Sequence, residues 1–77
     1  MQVQVRIVKV LRQVTGKEIS PGADDSLFVS GLLDSFALTD FVGGLEEEFG
    51  ISIPDSDLSA RKFDTISKVG AYLAAKS

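Results

Sequence analysis

After Ser35 the apolar residues Leu38, Phe41, Val42, Leu45 and Phe49 recur at spacings of three and four. That period puts all five on one stripe of an α-helix. The helix is expected over Ser35–Phe49, with Gly50 suited to its C-terminal cap. Ser35 falls at its start, where a serine is most often an N-cap, its hydroxyl accepting from a free backbone N–H of the first turn. The remainder of the chain has to supply the apolar surface that this stripe buries.

At the N-terminus Val3, Val5 and Ile7 alternate with polar residues, but Val3, Ile7, Val10, Leu11 and Val14 also form a helical stripe ending at Gly16. No second convincing strand exists to pair with this segment, and an isolated strand would leave its backbone groups unpaired. It is therefore predicted as a first helix, with Gln2, Gln4, Arg6, Lys9 and Gln13 mostly outward. Gly16 to Asp34 is a long connection with turn chemistry at Ser20-Pro21-Gly22 and Asp24-Asp25-Ser26. Its length calls for internal packing, for which Ile19, Leu27, Phe28, Leu32 and Leu33 are the candidates.

Pro54 suits the first turn of a short third helix over Asp55–Ala60, with Asp57 and Leu58 in it. Asp64 or Thr65 then caps a last helix that buries Ile66, Val69, Gly70 and Leu73, leaving Tyr72 at an edge with its hydroxyl toward water. The expected fold is all-α, a small four-helix bundle of three main helices and one short one, with a long loop between the first two. Residues 1–77 are read as one domain.

The composition excludes whole classes of chemistry. Without Cys or His, the chain cannot form disulfides, thiolate or imidazole metal sites, Ser-His-Asp triads or Cys-His pairs. Ser35 has no internal base of the usual kind, so another protein must activate it if it is to act as a nucleophile. Paired carboxylates such as Glu46 and Glu47 occupy adjacent helix positions and diverge, which argues against an enzyme. No apolar run approaches the roughly 20 residues of a membrane span, and the N-terminus lacks the features of a signal peptide. A cytoplasmic protein is expected, without membrane insertion.

Charge is unevenly placed. From Glu18 to Ala60 there are ten acidic residues and no Lys or Arg. Such a block is commonly a solvated face, but Asp40, Glu46 and Glu47, opposite the core stripe, also suit a basic partner. Nucleic acid is disfavoured, because phosphate backbones attract clustered Lys and Arg. Gly43 and Gly44 lie inside the second helix at a cost on the order of 1 kcal/mol each. Close packing against another element, or a flat patch for a partner, would account for them.

Asp34-Ser35-Phe36, Leu45-Glu46-Glu47-Glu48-Phe49-Gly50, Ile53-Pro54-Asp55, Phe63-Asp64-Thr65-Ile66 and Tyr72-Leu73 together resemble the acyl carrier protein family in order and spacing. The resemblance spans nearly the whole chain. It implies that Ser35 receives 4′-phosphopantetheine from coenzyme A through a magnesium-dependent phosphopantetheinyl transferase, and that the arm's thiol then holds cargo as a thioester. A helix N-terminus, with free N–H groups and positive potential, suits an attached phosphodiester.

By the same resemblance, Asp34, Phe36, Asp40, Gly43, Glu46 and Glu47 would meet partners. These are the transferase, an acyl- or aminoacyl-loading ligase, and acyl-transferring or condensing enzymes with basic docking surfaces. The carrier itself would be a monomer with no catalytic residues and no resident metal. Asp34 has an ordinary reading too, as a charge stabilising the helix N-terminus. Phe36, where Leu or Met is usual, either contacts enzymes or folds back onto Leu32 or Leu33. Gly31-Leu32-Leu33-Asp34-Ser35 is more like aminoacyl carriers, such as the D-alanine carrier, and peptidyl carriers than fatty-acid carriers, with a specialised fatty or polyketide carrier close behind. The competing reading is an unmodified helical interaction module in which Ser35 only caps its helix.

Overall fold

The structure is a computed structural model that describes residues 2–76, with side chains from Val3 onward. The outward placement expected of Gln2 lies outside the described side chains. Helix α1 spans Gln2–Thr15, α2 Ser35–Phe49, α3 Ala60–Phe63 and α4 Ile66–Lys76, and a 3₁₀ turn occupies Asp55–Asp57. No strand forms among the described residues.

The stripe that defines α2 is the centre of the core. Leu38, Phe41, Val42 and Leu45 are buried, with Phe49 packed at the margin. Against them α1 contributes Ile7, Val10 and Leu11, whereas Val3 at the head of its stripe stays exposed. α4 contributes Ile66, Val69 and Leu73, and α3 contributes Phe63. α1 packs on both α2 and α4, and α3 bridges α2 and α4.

α1 ends where expected, with the Gly16 N–H reaching the Arg12 carbonyl at 2.9 Å. At the end of α2, Gly50 takes φ 65°, and its N–H and that of Ile51 both reach the Glu46 carbonyl. That left-handed turn is nearly free for glycine and costly for other residues. The two glycines inside α2 divide the explanations offered above. A Cβ on Gly44 would lie 2.6 Å from Val10 Cγ1, so its bareness lets α1 approach; a Cβ on Gly43 would meet nothing within 4 Å.

The long connection is packed as expected. Leu27 and Leu33 are fully buried, and Ile19, Phe28 and Leu32 lie partly against the core. The third helix differs from the expectation of Asp55–Ala60. Pro54 precedes a single 3₁₀ turn, Leu58 lies beyond it, and α3 starts only after Ser59, whose hydroxyl accepts from Lys62 N–H at 3.3 Å. The segment carries four capping-type residues, Asp55, Ser56, Asp57 and Ser59, each able to bond nearby backbone, and such residues favour short turns over a continuous helix. Of the two caps proposed for α4, Thr65 is the one used, its hydroxyl accepting from Lys68 N–H at 3.0 Å.

Tyr72 corrects a second expectation. Its hydroxyl does not face water but donates to Asp57 Oδ2 at 2.6 Å, while its ring sits 5.1 Å from that of Phe63. Arg6 stays partly exposed but is held along the surface of α2. Its Nε donates to Glu48 Oε2 at 2.9 Å, its Nη2 to the Glu48 carbonyl at 2.6 Å, and its guanidinium lies over the Phe49 ring.

Candidate functional site at the start of α2

The loop delivers the chain to α2 through Gly31, whose φ of 83° turns the backbone between two buried leucines. Leu27 and Leu33 are joined by a bond from the Leu33 N–H to the Leu27 carbonyl at 3.0 Å. The next residue, Asp34, is the N-cap. In extended conformation, it accepts from Phe36 N–H at 3.0 Å and Ala37 N–H at 2.8 Å through one oxygen, Oδ1.

The ordinary reading of Ser35, as the cap of its helix, is thereby set aside. Asp and Ser are comparable caps, and here Asp34 holds the two first-turn N–H groups. Ser35 becomes the first helical residue, and its exposed Oγ has no hydrogen-bond partner among the described residues. The picture of free first-turn donors awaiting a phosphodiester changes with it, since Asp34 has taken two of them. What fits an attached phosphodiester is the exposed, unbonded hydroxyl at the capped start of the helix. The Asp34 carboxylate next to it repels a second anion, which favours an arm directed into solvent.

Phe36 is 85% exposed, so it does not fold back over Leu32 or Leu33. Phe36, Asp40, Gly43 and Glu47 stand at i, i+4, i+7 and i+11, one outward face of α2. Asp40 and Glu47 are exposed and have no ion pair or hydrogen bond to a side chain among the described residues. Glu46, expected beside them, turns inward instead, its Oε2 accepting from Ile53 N–H at 2.7 Å and so anchoring the segment after α2. Val29, in the turn before Gly31, is 89% exposed and was not singled out in the sequence, where a lone valine in a loop carries no periodic signal.

Three further acidic side chains, away from Ser35 in the chain, are held by specific bonds. Asp64 Oδ1 accepts from the Ser26 hydroxyl at 2.6 Å and from Phe28 N–H at 3.3 Å. The Ser26 bond holds its carboxyl below the usual carboxylate range, against the effect of partial burial. Arg6 does the same for Glu48, and Tyr72 foremost for Asp57, which Lys62 also reaches at 3.0 Å. These pairings link positions far apart in sequence, so no local pattern announced them. Among the described residues no three carboxylates gather in a way that could hold a metal ion.

The family model described as "Phosphopantetheine attachment site" matches residues 5–73. Among curated proteins, the chain is 37% identical over 71 residues to a D-alanyl carrier protein of Leuconostoc mesenteroides, covering 92% of this chain and 91% of that one. A D-alanyl carrier protein of Leuconostoc citreum is 36% identical, with 90% and 88% covered, and one of Lactobacillus acidophilus is 31% identical, with 92% and 90% covered. With the helical fold and the serine at the head of α2, these matches set the unmodified interaction module aside. The chain belongs to the phosphopantetheine-attachment family and is a carrier protein whose cofactor is covalently bound 4′-phosphopantetheine.

Proposed function

We propose that Ser35 is the attachment point and that the cargo is an amino acid of the D-alanine class. The supporting observation is the Ser35 hydroxyl itself, exposed and unbonded at the first position of α2 because Asp34 has taken the capping role. In the attachment step Ser35 Oγ forms a new bond to the β-phosphorus of coenzyme A, adenosine 3′,5′-bisphosphate leaves, and a base of the transferase takes the hydroxyl proton. An external base is needed because the chain has no histidine. The bound group supplies the terminal thiol that a cysteine-free chain lacks. The chain's own residues cap the helix, hold the hydroxyl at the surface and present Phe36, Asp40 and Glu47 to the enzymes that do the chemistry.

The cargo assignment is supported by the names of the relatives, which are D-alanyl carrier proteins. In this reading residues 1–77 act as one non-catalytic, monomeric carrier domain in the cytoplasm. Its partners are a magnesium-dependent phosphopantetheinyl transferase, an ATP-dependent ligase that loads the amino acid, and a downstream acyl-transferring enzyme. Among the described residues no helix is long and apolar enough to cross a membrane. The unpaired carboxylates on α2 suit partners with basic docking surfaces rather than nucleic acid.

The test is intact-protein mass after incubation with coenzyme A, magnesium and a broad-specificity transferase, with Ser35→Ala alongside. One phosphopantetheine adduct, absent from the variant, is the expected result; an adduct retained by Ser35→Ala would overturn the assignment. The cargo is then read by offering the modified protein a D-alanine-activating ligase with ATP and D-alanine, against L-alanine and a fatty acid. Loading of the fatty acid alone would refute the aminoacyl reading.

A further inference from the structure

Asp64, between α3 and α4, is bonded to the long loop three times. Its carboxylate accepts from Ser26 Oγ–H and Phe28 N–H, and its backbone carbonyl accepts from Leu27 N–H at 2.6 Å. Leu27 is therefore held on both sides, for its own carbonyl accepts from Leu33 N–H. Leu33 immediately precedes the capping Asp34 and then Ser35. The route from the α3–α4 junction to Ser35 thus runs through one loop residue and two backbone hydrogen bonds, with Leu27 and Leu33 fully buried.

The second oxygen contact of Ser26 tightens the same turn, since its Oγ also accepts from Val29 N–H at 3.0 Å. Loops of this length are mobile unless something fixes them; Arg12 holds the start of this one at Ile19 and Ser20, and Asp64 holds the part that leads to Leu33. The Ser67 N–H adds a bond to the Ala23 carbonyl at 2.9 Å, which holds the earlier part of the loop but does not lead to Leu33.

We infer that the Asp64 carboxylate positions Ser35: by holding Ser26 and Phe28 on either side of Leu27 it keeps Leu27 seated on the Asp64 backbone carbonyl, and so fixes the point at which the chain enters α2 and the place where the Ser35 hydroxyl meets an incoming transferase. This rests on Ser35 as the attachment point. Asp64 touches no reacting atom, and its contribution is the geometry in which Ser35 is presented. Small displacements of a reacting group lower the rate of the step more than they weaken docking, because the docking face on α2 is carried by separate residues.

The experiment compares Asp64→Ala, Asp64→Asn and Ser26→Ala with the unaltered chain as transferase substrates, following the adduct by mass and separating kcat from KM. Amide hydrogen exchange at Leu27 and Leu33 is measured on the same proteins. Asp64→Ala is expected to lower kcat about tenfold with KM within about twofold, and to speed exchange at both amides. Asp64→Asn, which keeps the accepting oxygen, is expected to recover most of the rate. Ser26→Ala, the milder change, should fall between them and serves if Asp64→Ala does not fold.

A rise in KM with kcat unchanged would overturn the inference, because it would mean only that less protein is folded. So would an Asp64→Ala or Ser26→Ala protein modified at the normal rate although exchange at Leu33 has quickened. Asp64→Asn as slow as Asp64→Ala would also overturn the inference, assigning the effect to charge and not to the hydrogen bonds with Ser26 and Phe28. If the unaltered chain took no adduct from several transferases, the Ser35 assignment itself would have failed, an outcome distinct from all of these.

Discussion

Tyr72 donates its hydroxyl proton to Asp57 Oδ2 at 2.6 Å, tying the middle of α4 to the turn ahead of α3. Burial, and then the bond and charge of Asp57, push the phenol up to about 12 from its ordinary 10.0. A group whose pKa is raised by folding contributes stability that is whole below its unfolded pKa and is lost as pH rises through the folded one. Stability is therefore expected to fall between pH of about 10 and about 12. Tyr72 is the one tyrosine, and there is no tryptophan, so absorbance near the tyrosinate band reports it alone. Asp57→Asn should move that titration downward, and Tyr72→Phe should remove the alkaline step from the melting curve.

The acid side has the opposite sign. Glu48, Asp57 and Asp64 are held below their ordinary values, each foremost by a side-chain hydrogen bond. Their contribution is present above the unfolded pKa of about 4 and is lost as pH falls through the lower folded values. Urea midpoints measured downward from pH 6 should hold steady and then drop below about pH 4. Glu48→Gln should shallow that drop, and an unchanged profile would show that the Arg6 pairing contributes nothing to it.

The neighbouring glycines of α2 should respond in opposite directions. Gly43→Ala places a methyl in open space and gains helix propensity, worth up to about 1 kcal/mol. Gly44→Ala drives a Cβ to within 2.6 Å of Val10, a buried β-branched side chain with little room to turn away. Overpacking of this kind costs roughly 1–3 kcal/mol, more than the propensity gain. Paired urea melts check the prediction, which fails if both variants are stabilised.

Capping and modification should separate at adjacent residues. Asp34→Ala removes the acceptor for two first-turn N–H groups and should cost roughly 0.5–2 kcal/mol. Ser35→Ala should leave stability within about 0.5 kcal/mol while abolishing the adduct. A melting temperature lowered as much by Ser35→Ala as by Asp34→Ala would contradict the assignment of the cap.

Charge reversal should distinguish docking from anchoring. Asp40→Lys or Glu47→Lys should slow association with a basic transferase several-fold at low salt, with the difference shrinking as salt is added. Glu46→Lys should act through the fold, because it removes the acceptor of Ile53 N–H. Stopped-flow association rates across a salt series, set beside thermal melts, resolve the two effects.

The reach of the sequence follows from the range of the forces involved. α2 was legible to both ends because a helical stripe and a terminal glycine are local signals, and Leu38, Phe41, Val42 and Leu45 are buried as the period required. α1 was legible by elimination of a strand partner. The third helix was not, because Asp55, Ser56, Asp57 and Ser59 are all competent caps and only tertiary packing selects Ser59. Period and composition say which face of a helix is wet but not which group an outward-facing polar atom will find. For that reason Tyr72 with Asp57, Glu46 with Ile53, and Asp64 with Ser26 became visible only in three dimensions.

The inward turn of Glu46 and the pairing of Glu48 leave α2 with two unpaired carboxylates, Asp40 and Glu47, beside one exposed phenyl ring. On the proposed docking face, that is enough to orient an encounter and too little to prolong it. Rates of departure, more than rates of arrival, set how long two proteins stay together, so this surface favours short residence. A shuttle that must leave one enzyme before it can serve the next gains turnover from the carboxylates that the fold has kept for itself.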